Sequence, residues 1–417
     1  MKFRPDAVLV NGEFHSNMVV SMLADGTLQS VGEDVDETTV PRKHRVWMPG
    51  FVNSHSHVFQ RVMRGLGERQ TSGATFWSWR ESMYRVVDGL DPDRLESIAR
   101  YTFHEMMSAG YTSVKEFHYI HHGRSGAPYS DPNEMAKRVI AAGQSAGISM
   151  TLLRVLYLSV AETTQQRFCD PDIDTAFRWT TRLASEVPVS VGLAPHSIRA
   201  CTPDQISEAI RWSKDHGMEC HMHIAEQPRE VNYSLERYGQ RPLATIADSL
   251  DSHVVGVHMT HLSDREIKRA GEAGMTACIC PTTEGSLGDG LPSLREMLDA
   301  GVRLSIGSDS NVVIDPFAEV RMLEFNERNR KQARRVVDPG SILEACTEPV
   351  ISGQPTNWLE LDTTHPALVG VPMHELVSAV VLSGRPDCIA GTWSGGQFRP
   401  REQPDPSRYL RALEQLL

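Results

Sequence analysis

The chain has 417 residues, of which 40% are hydrophobic and 23% are charged, and its formal net charge at pH 7 is −11. This composition is typical of a folded globular protein, and the negative charge argues against nucleic acid or an anionic membrane surface as a partner. The first residues lack the apolar stretch of a signal peptide, and no segment has the length of a transmembrane helix. We therefore expect a cytoplasmic protein, and the seven scattered cysteines do not form the pattern of a disulfide framework.

The first residues of the chain carry short alternating apolar runs, and Asp25-Gly26 between two of them is typical of a hairpin turn. Residues 376–399 have a similar β-rich character. We expect residues 1–48 and 366–417 to supply the two parts of a small β-sandwich lobe, which ends in a short helix.

Helix-like segments alternate with short β-rich runs in the middle of the chain, residues 49–365. Strand-like runs lie at 48–55, 188–195 and 253–258, and five more follow directly after glycines that suit the left-handed residue closing a helix. Those glycines are Gly110, Gly147, Gly217, Gly274 and Gly301. The pattern predicts a (β/α)₈ barrel, in which the active site lies at the carboxyl ends of the strands.

Side chains that can bind a metal follow four of the predicted strands. Imidazole nitrogen and carboxylate oxygen suit a metal such as Zn²⁺. Because all four strand ends meet at one face of a barrel, we expect these groups to converge. They are His55 and His57 on the first strand, His223 and Glu226 on the fifth, His258 on the sixth and Asp309 on the eighth.

The histidine pairs are weak signals when each is taken alone. Among 17 histidines, chance supplies about one His-x-His spacing. A single histidine at a strand end is more often a structural residue than a ligand, and only the set of four strand ends favours a metal site. His221 and His223 share one face of their strand, so spacing does not decide between them, and His223 is favoured because it lies nearer the strand end.

Several longer motifs resemble the amidohydrolase superfamily and, more narrowly, the formimidoylglutamate deiminases. They span roughly residues 48–330 and read MPGFVNSHSHVFQR, FWSWRESMYR, EFHYIHH, APHSIR, HIAEQ, HMTHL and CPTTEGSLGDG. Three positions depart from the usual residues of that family. Asn311 stands where histidine is usual, Ser286 where asparagine is usual, and Arg154 where proline is usual.

The resemblance implies one Zn²⁺ per subunit. In agreement, PVSVGLAPH on the predicted fourth strand offers no lysine or acid that could bridge a second metal. Glu226 would carry a proton from water to the leaving nitrogen, and His258 would polarise or deprotonate the water and stabilise charge. Asp309 would be both a ligand and a proton acceptor. The implied metal ligands are His55, His57, His223 and Asp309.

The resemblance also implies the substrate, the small acid N-formimino-L-glutamate of histidine degradation. Its hydrolysis would give N-formyl-L-glutamate and ammonia, in an enzyme that is a homodimer in this family. Arginine forks bind carboxylates in a bidentate manner, which an acidic substrate requires in so acidic a protein. Arg80, Arg199 and Tyr119 would hold the two carboxylates, and Gln60 and His196 would contact the amino-acid portion.

Two other interpretations remain open from the sequence. A related deaminase could act on another formimino amino acid, such as formimino-aspartate, or on a purine or pterin base. A barrel without catalysis could serve as a binding protein, although such a protein would be expected to lack ligands that are all present here. The segment 61–90, with Trp77 and Trp79, could cover the site as a lid.

Overall fold

The computed structural model describes residues 1–66, 76–160 and 163–414 together with Leu416, and only the backbone of residues 76–78. The strands are β1 (Lys2–Val10), β2 (Glu13–Ser16), β3 (Val19–Met22), β4 (Leu28–Gly32), β5 (Thr39–Pro49), β6 (Phe51–Ser56), β7 (Tyr111–His118), β8 (Ser149–Leu156), β9 (Ser190–Pro195), β10 (Cys220–Ile224), β11 (Val254–His258), β12 (Thr276–Ile279), β13 (Arg303–Ile306), β14 (Trp358–Asp362), β15 (Ile389–Ser394) and β16 (Gln397–Pro400).

The helices alternate with the central strands, as expected for β/α units. The α-helices are α1 (Phe76–Gly89), α2 (Pro92–Ala109), α3 (Glu134–Ala146), α4 (Ile173–Glu186), α5 (Pro203–Asp215), α6 (Pro228–Tyr238), α7 (Asp264–Glu272), α8 (Pro281–Leu287), α9 (Leu294–Asp299), α10 (Pro316–Lys331), α11 (Pro339–Cys346), α12 (Leu376–Ser383) and α13 (Ser407–Glu414). Short 3₁₀ helices cover Val58–Met63, Thr163–Arg167, Leu243–Ser249, Met373–Glu375 and Pro386–Cys388. None of the helices in the described part of the chain is long and apolar enough to cross a membrane.

Strands β6 to β13 form one sheet in chain order, and the paired strands from β8 to β13 run parallel. Ser56 at the end of β6 forms a parallel bridge with Asp309 just after β13, so the sheet is nearly closed. The five glycines predicted to close helices all have positive φ, from 62° to 108°. The predicted (β/α)₈ barrel is confirmed, and its strand ends are where the sequence placed the candidate site.

A second, mixed sheet combines the two ends of the chain. Its strand order is β16-β15-β14-β5-β1-β3-β4, with β2 paired to β1, and β1 runs parallel to β5 while the other pairs are antiparallel. Four buried aromatic rings form its core, with centroids 4.4 to 6.1 Å apart. These rings belong to Phe3, Trp47, Trp358 and Trp393. The predicted lobe from both chain ends is therefore present.

One predicted β-rich segment is wrong. Residues 376–383 form helix α12, whereas the rest of that segment forms β15 and β16 as expected. The run LVSAVVLS is apolar throughout, and without alternation its pattern does not distinguish a buried strand from a buried helix. In the second sheet, the strand that pairs with β15 in place of this predicted segment is β14.

The chain divides into two compact units. One comprises residues 1–53, 104–113 and 314–404, and the other comprises residues 54–103, 114–313 and 405–417. Every candidate site residue named above belongs to the second unit.

Arg154, which departs from the family pattern, takes part in a buried ion pair. Its guanidinium on β8 donates to both carboxylate oxygens of Asp170 at 2.7 and 3.0 Å, and neither side chain is exposed. The guanidinium also lies 5.5 Å from the ring centre of Trp179 on α4. Arg154 is therefore a structural residue of this barrel, because its charge is fully matched by Asp170.

We expect Asp170→Ala to destabilise the fold, because it leaves the Arg154 guanidinium buried without its carboxylate. The expected loss in free energy of unfolding is about 3–5 kcal/mol, measured by urea denaturation. Asp174→Ala, which removes an exposed carboxylate at the start of α4, should cost less than about 1 kcal/mol. Equal losses in the two variants would contradict the structural role of the pair.

Candidate active site

The four predicted metal ligands lie together at the carboxyl ends of three strands. His55 and His57 stand at the end of β6, His223 lies on β10, and Asp309 follows β13. The Nε2 atom of His55 is 3.1 Å from the Nε2 atoms of both His57 and His223. Oδ1 of Asp309 is 3.4 Å from Nε2 of His55 and 3.3 Å from Nε2 of His57. All four side chains are buried, and their ligand atoms lie within 4.8 Å of one another.

The chemistry of this donor set fits a metal cation. Nδ1 of His57 lies 2.9 Å from the carbonyl oxygen of Phe117, and Nδ1 of His223 lies 3.1 Å from that of His196. A carbonyl only accepts, so each Nδ1 carries the hydrogen and each Nε2 presents a lone pair. Both lone pairs lie 3.1 Å from Nε2 of His55 and beside the Asp309 carboxylate, and a cation among these atoms would stabilise them.

The protonation of the histidines favours metal binding as well. Burial, together with the charge of His55, lowers the pKa of His57 to about 3. Burial also lowers the pKa values of His55 and His223 well below the ordinary histidine range. Neutral imidazole is the form that coordinates a metal.

The structure separates the two histidines that spacing could not. His221 is directed away from the ligand cluster, with its Nε2 atom 3.2 Å from a carboxylate oxygen of Glu219. His223 is the member of the pair that joins the cluster. A further trio of His258, Cys280 and Asp309 also lies within 4.8 Å, so Cys280 borders the site rather than serving only as packing.

The backbone that carries Asp309 is strained and is held from both sides. Asp309 has φ of 44°, and its NH and CO bond the backbone of His55 and His57 at 2.9 Å. Asn311 has φ of 56° and donates through Nδ2 to Ser56 Oγ and to the Asp309 carbonyl, both at 3.1 Å. Asparagine tolerates this left-handed conformation. Asn311, which stands where histidine is usual in the family, therefore stabilises the loop that positions the Asp309 carboxylate.

His258 lies between two acids and the ligand cluster. Its Nδ1 atom is 3.3 Å from Oε1 of Glu284, and its Nε2 atom is 3.8 Å from both Glu226 Oε1 and Asp309 Oδ2. Burial alone would lower the pKa of His258, but Glu226, the hydrogen bond to Glu284 and Asp309 together raise it well above the ordinary value. Three carboxylates thus face this imidazole and favour its protonated form.

A cavity of about 310 Å³ opens onto this cluster and brings most of the predicted residues together. His55 and His258 contact this cluster but are not among the residues that line the cavity. The predicted residues that line it are His57, Gln60, Arg80, Tyr119, His196, Arg199, His223, Glu226 and Asp309.

The predicted substrate residues make distinct contacts within this cavity. Gln60 donates to the hydroxyl of Tyr119 at 2.9 Å. The Arg80 guanidinium lies 5.4 Å from the ring centre of Tyr84 on the same helix. Arg199 forms a salt bridge of 3.2 Å with Glu226, which places a cation directly beside the predicted proton carrier.

Some residues that lie at or beside the candidate site escaped the sequence analysis. Glu284 follows β12, the seventh barrel strand, and the strand-end rule used for the other ligands would have identified it. Asp289 also lies nearby, and burial together with Glu226 raises its pKa to about 9. Arg229 and Tyr233 on α6 line the cavity, but nothing in their local sequence distinguishes them from exposed residues of a helix.

The structure also locates Ser286 and the two tryptophans of the segment 61–90. Ser286 on α8 is exposed and is absent from the cavity lining, so this departure does not touch the site. Trp79 lines the cavity, whereas residues 67–75 and the side chain of Trp77 lie outside the described residues.

Comparison with known proteins identifies the family of this chain. Residues 46–349 match the amidohydrolase family. Formimidoylglutamate deiminase of Pseudomonas aeruginosa is 34% identical over an alignment that covers 100% of this chain and 98% of the relative. The 5-methylthioadenosine/S-adenosylhomocysteine deaminase 2 of Archaeoglobus fulgidus is 28% identical over 81% of this chain and 77% of its own.

Solved structures show the same architecture. The crystal structure of an amidohydrolase from Brucella melitensis superposes with a TM-score of 0.89 and 30% identity, and the match covers 100% of this chain and 99% of that one. The chain therefore belongs to the amidohydrolase family, and it is a homologue of formimidoylglutamate deiminase.

Proposed function

We propose that this protein hydrolyses N-formimino-L-glutamate to N-formyl-L-glutamate and ammonia, as a step of histidine degradation. The observation that carries the proposal is a single cavity lined by three potential metal ligands, by Glu226 and by two arginines, Arg80 and Arg199. An acidic amidine requires this combination, because its reacting carbon needs a polarised water and its two carboxylates need cations.

We assign one Zn²⁺ per subunit to His55, His57, His223 and Asp309. Three imidazoles and one carboxylate form a donor set that zinc prefers. The bound metal would supply Lewis-acid polarisation and lower the pKa of a water molecule. Zinc in a ratio of one per chain after purification, measured by elemental analysis, is the expected result.

Glu226 carries the proton in this proposal. It lines the cavity near His223 and Asp309, and its carboxylate is only slightly exposed. The carboxylate takes one proton from the attacking water as the C–O bond forms and delivers it to the imino nitrogen. The proton of the new hydroxyl group follows to the same nitrogen as the C–N bond breaks and the C=O bond forms, so that ammonia leaves. Water and the formimino group thus give the formyl group and ammonia, with no other reactant.

His258 supports the same step through its charge. The His258 imidazole, whose Nε2 atom is 3.8 Å from Asp309 and Glu226, is placed to stabilise negative charge that develops on the oxygen added to the substrate carbon. Glu284 holds the ring from the opposite side.

The substrate's carboxylates are assigned to Arg80, Arg199 and Tyr119. Gln60, which donates to Tyr119, and His196 contact the amino-acid portion. Burial raises the pKa of Tyr119 well above its ordinary value, so its hydroxyl remains a donor to a carboxylate.

We expect Arg80→Met to lower kcat/KM for N-formimino-L-glutamate by about 10- to 100-fold, because a charged hydrogen bond to a carboxylate is lost. Ammonia release measures the effect. Arg85→Met is the matched control on the same helix, since Arg85 is exposed and donates to Ser82 at 2.8 Å. If both variants kept the wild-type kcat/KM, the carboxylate assignment to Arg80 would be wrong.

A substrate panel tests the proposed function as a whole. N-formimino-L-glutamate, N-formimino-L-aspartate and 5′-methylthioadenosine are compared at equal concentration by ammonia release. We expect the highest kcat/KM for the glutamate compound. A preference for the nucleoside would replace the proposal with a purine deaminase, and a preference for the aspartate compound would shift the substrate by one methylene.

A further inference from the structure

Arg199 lies beside two acids, of which only one lines the cavity. Its guanidinium lies 3.2 Å from Glu226 Oε2 and 3.8 Å from Glu230 Oε2. Glu226 lines the cavity, whereas Glu230 on α6 is fully buried and is absent from the lining. Arg199 itself also lines the cavity, with a side chain that is 17% exposed, so a ligand can reach it.

The charges around Arg199 are balanced only in part before a substrate enters. One guanidinium faces two carboxylates, and the His258 imidazole lies 3.8 Å from the other oxygen of Glu226. Burial raises the pKa of Glu230 and Arg199 opposes that shift, so the two acids depend on the same positive charge. A third carboxylate at this guanidinium would weaken its ion pairs with both Glu226 and Glu230.

We propose that a carboxylate of the substrate displaces Glu226 from Arg199, so that an acidic amidine converts Glu226 from an ion-pair partner into the proton carrier. This inference rests on the proposed function and extends it. Once Arg199 is engaged by the substrate, Glu226 loses its ion-pair partner, and its carboxylate faces the cavity where the water attacks. The proton comes from the attacking water, whose O–H bond breaks as the Glu226 O–H bond forms.

As a consequence, the carboxylates of the substrate raise the rate of the chemical step as well as the affinity. An interaction made far from the reacting carbon then lowers the barrier at that carbon. A neutral amidine of the same reactivity would bind beside a Glu226 that is still paired with Arg199. It would therefore be turned over slowly even when it saturates the site.

The test replaces the substrate by two separate compounds. Formamidine supplies the reacting group and glutarate supplies two carboxylates, and ammonia release from saturating formamidine is followed as glutarate is added to the metal-loaded enzyme. We expect glutarate to raise kcat for formamidine by about tenfold or more. The reason is that Glu226 becomes a stronger base when it loses its charge-assisted hydrogen bond from Arg199. A formamidine rate that glutarate leaves unchanged or lowers would overturn the coupling.

An arginine variant provides a second test of the proposal. Arg199→Met removes the partner of Glu226, so its formamidine turnover should exceed that of the wild type without glutarate and should not respond to glutarate. Arg265→Met, which changes an exposed arginine on α7, should keep the wild-type response. A glutarate response retained in Arg199→Met would overturn the proposal.

The proposed function can fail separately from this inference. If N-formimino-L-glutamate releases no ammonia, the proposed function fails whatever glutarate does. If N-formimino-L-glutamate is turned over but glutarate does not activate formamidine hydrolysis, only the displacement of Glu226 from Arg199 is overturned.

Discussion

Glu226→Gln is expected to lower kcat for N-formimino-L-glutamate by about 10²–10⁴-fold, with a much smaller change in KM. Glutamine keeps the size of the side chain and can still contact Arg199, but it cannot take a proton from water and return it to the leaving nitrogen. Steady-state ammonia release measures both constants. The metal content should equal that of the wild type, since Glu226 is not among the assigned ligands.

The control for this prediction is Glu272→Gln, which changes an exposed acid on α7. That variant should retain wild-type kcat. A Glu226→Gln enzyme with more than half of the wild-type kcat would require another group to carry the proton. Loss of bound metal in the same variant would instead assign Glu226 to the metal.

His223→Asn is expected to abolish stoichiometric metal binding and to reduce kcat/KM by at least about 10³-fold. The variant removes one of the two imidazoles whose Nε2 atoms lie 3.1 Å from Nε2 of His55. Elemental analysis of the purified, folded protein gives the metal content, and ammonia release gives the rate.

His221→Asn provides a control on the same strand. His221 is also fully buried, but it faces Glu219 and not the ligand cluster. We expect this variant to keep its metal, even if its stability falls through the smaller side chain. Equal metal loss in the two variants would show that the strand, and not the imidazole of His223, determines binding.

The sequence predicted the barrel and the ligand cluster because both follow from one rule. Parallel strands bring their carboxyl ends to one face, so His55, His223 and Asp309 could be placed together without knowledge of their distances. The histidine pair at 55 and 57 was ambiguous alone, and its partners on other strands made it informative. The choice of His223 over His221 followed from its nearness to the strand end, which the geometry explains.

Other features depended on contacts that no local pattern encodes. The run at 376–383 is apolar throughout, and its helical form depends on burial that periodicity does not report. The salt bridge between Arg199 and Glu226 joins a loop after β9 to the end of β10, and neither segment predicts its partner. Arg154 was seen only as a departure, since its carboxylate partner lies 16 residues away.

The central claim is that this cavity hydrolyses the formimino group of N-formimino-L-glutamate. The most direct test incubates the zinc-loaded enzyme with that compound and follows products by ¹³C NMR together with an ammonia assay. The account predicts N-formyl-L-glutamate and ammonia in equal amounts, at a rate that chelation abolishes and zinc restores. Unchanged N-formimino-L-glutamate in the presence of the metal-loaded, folded protein would contradict it.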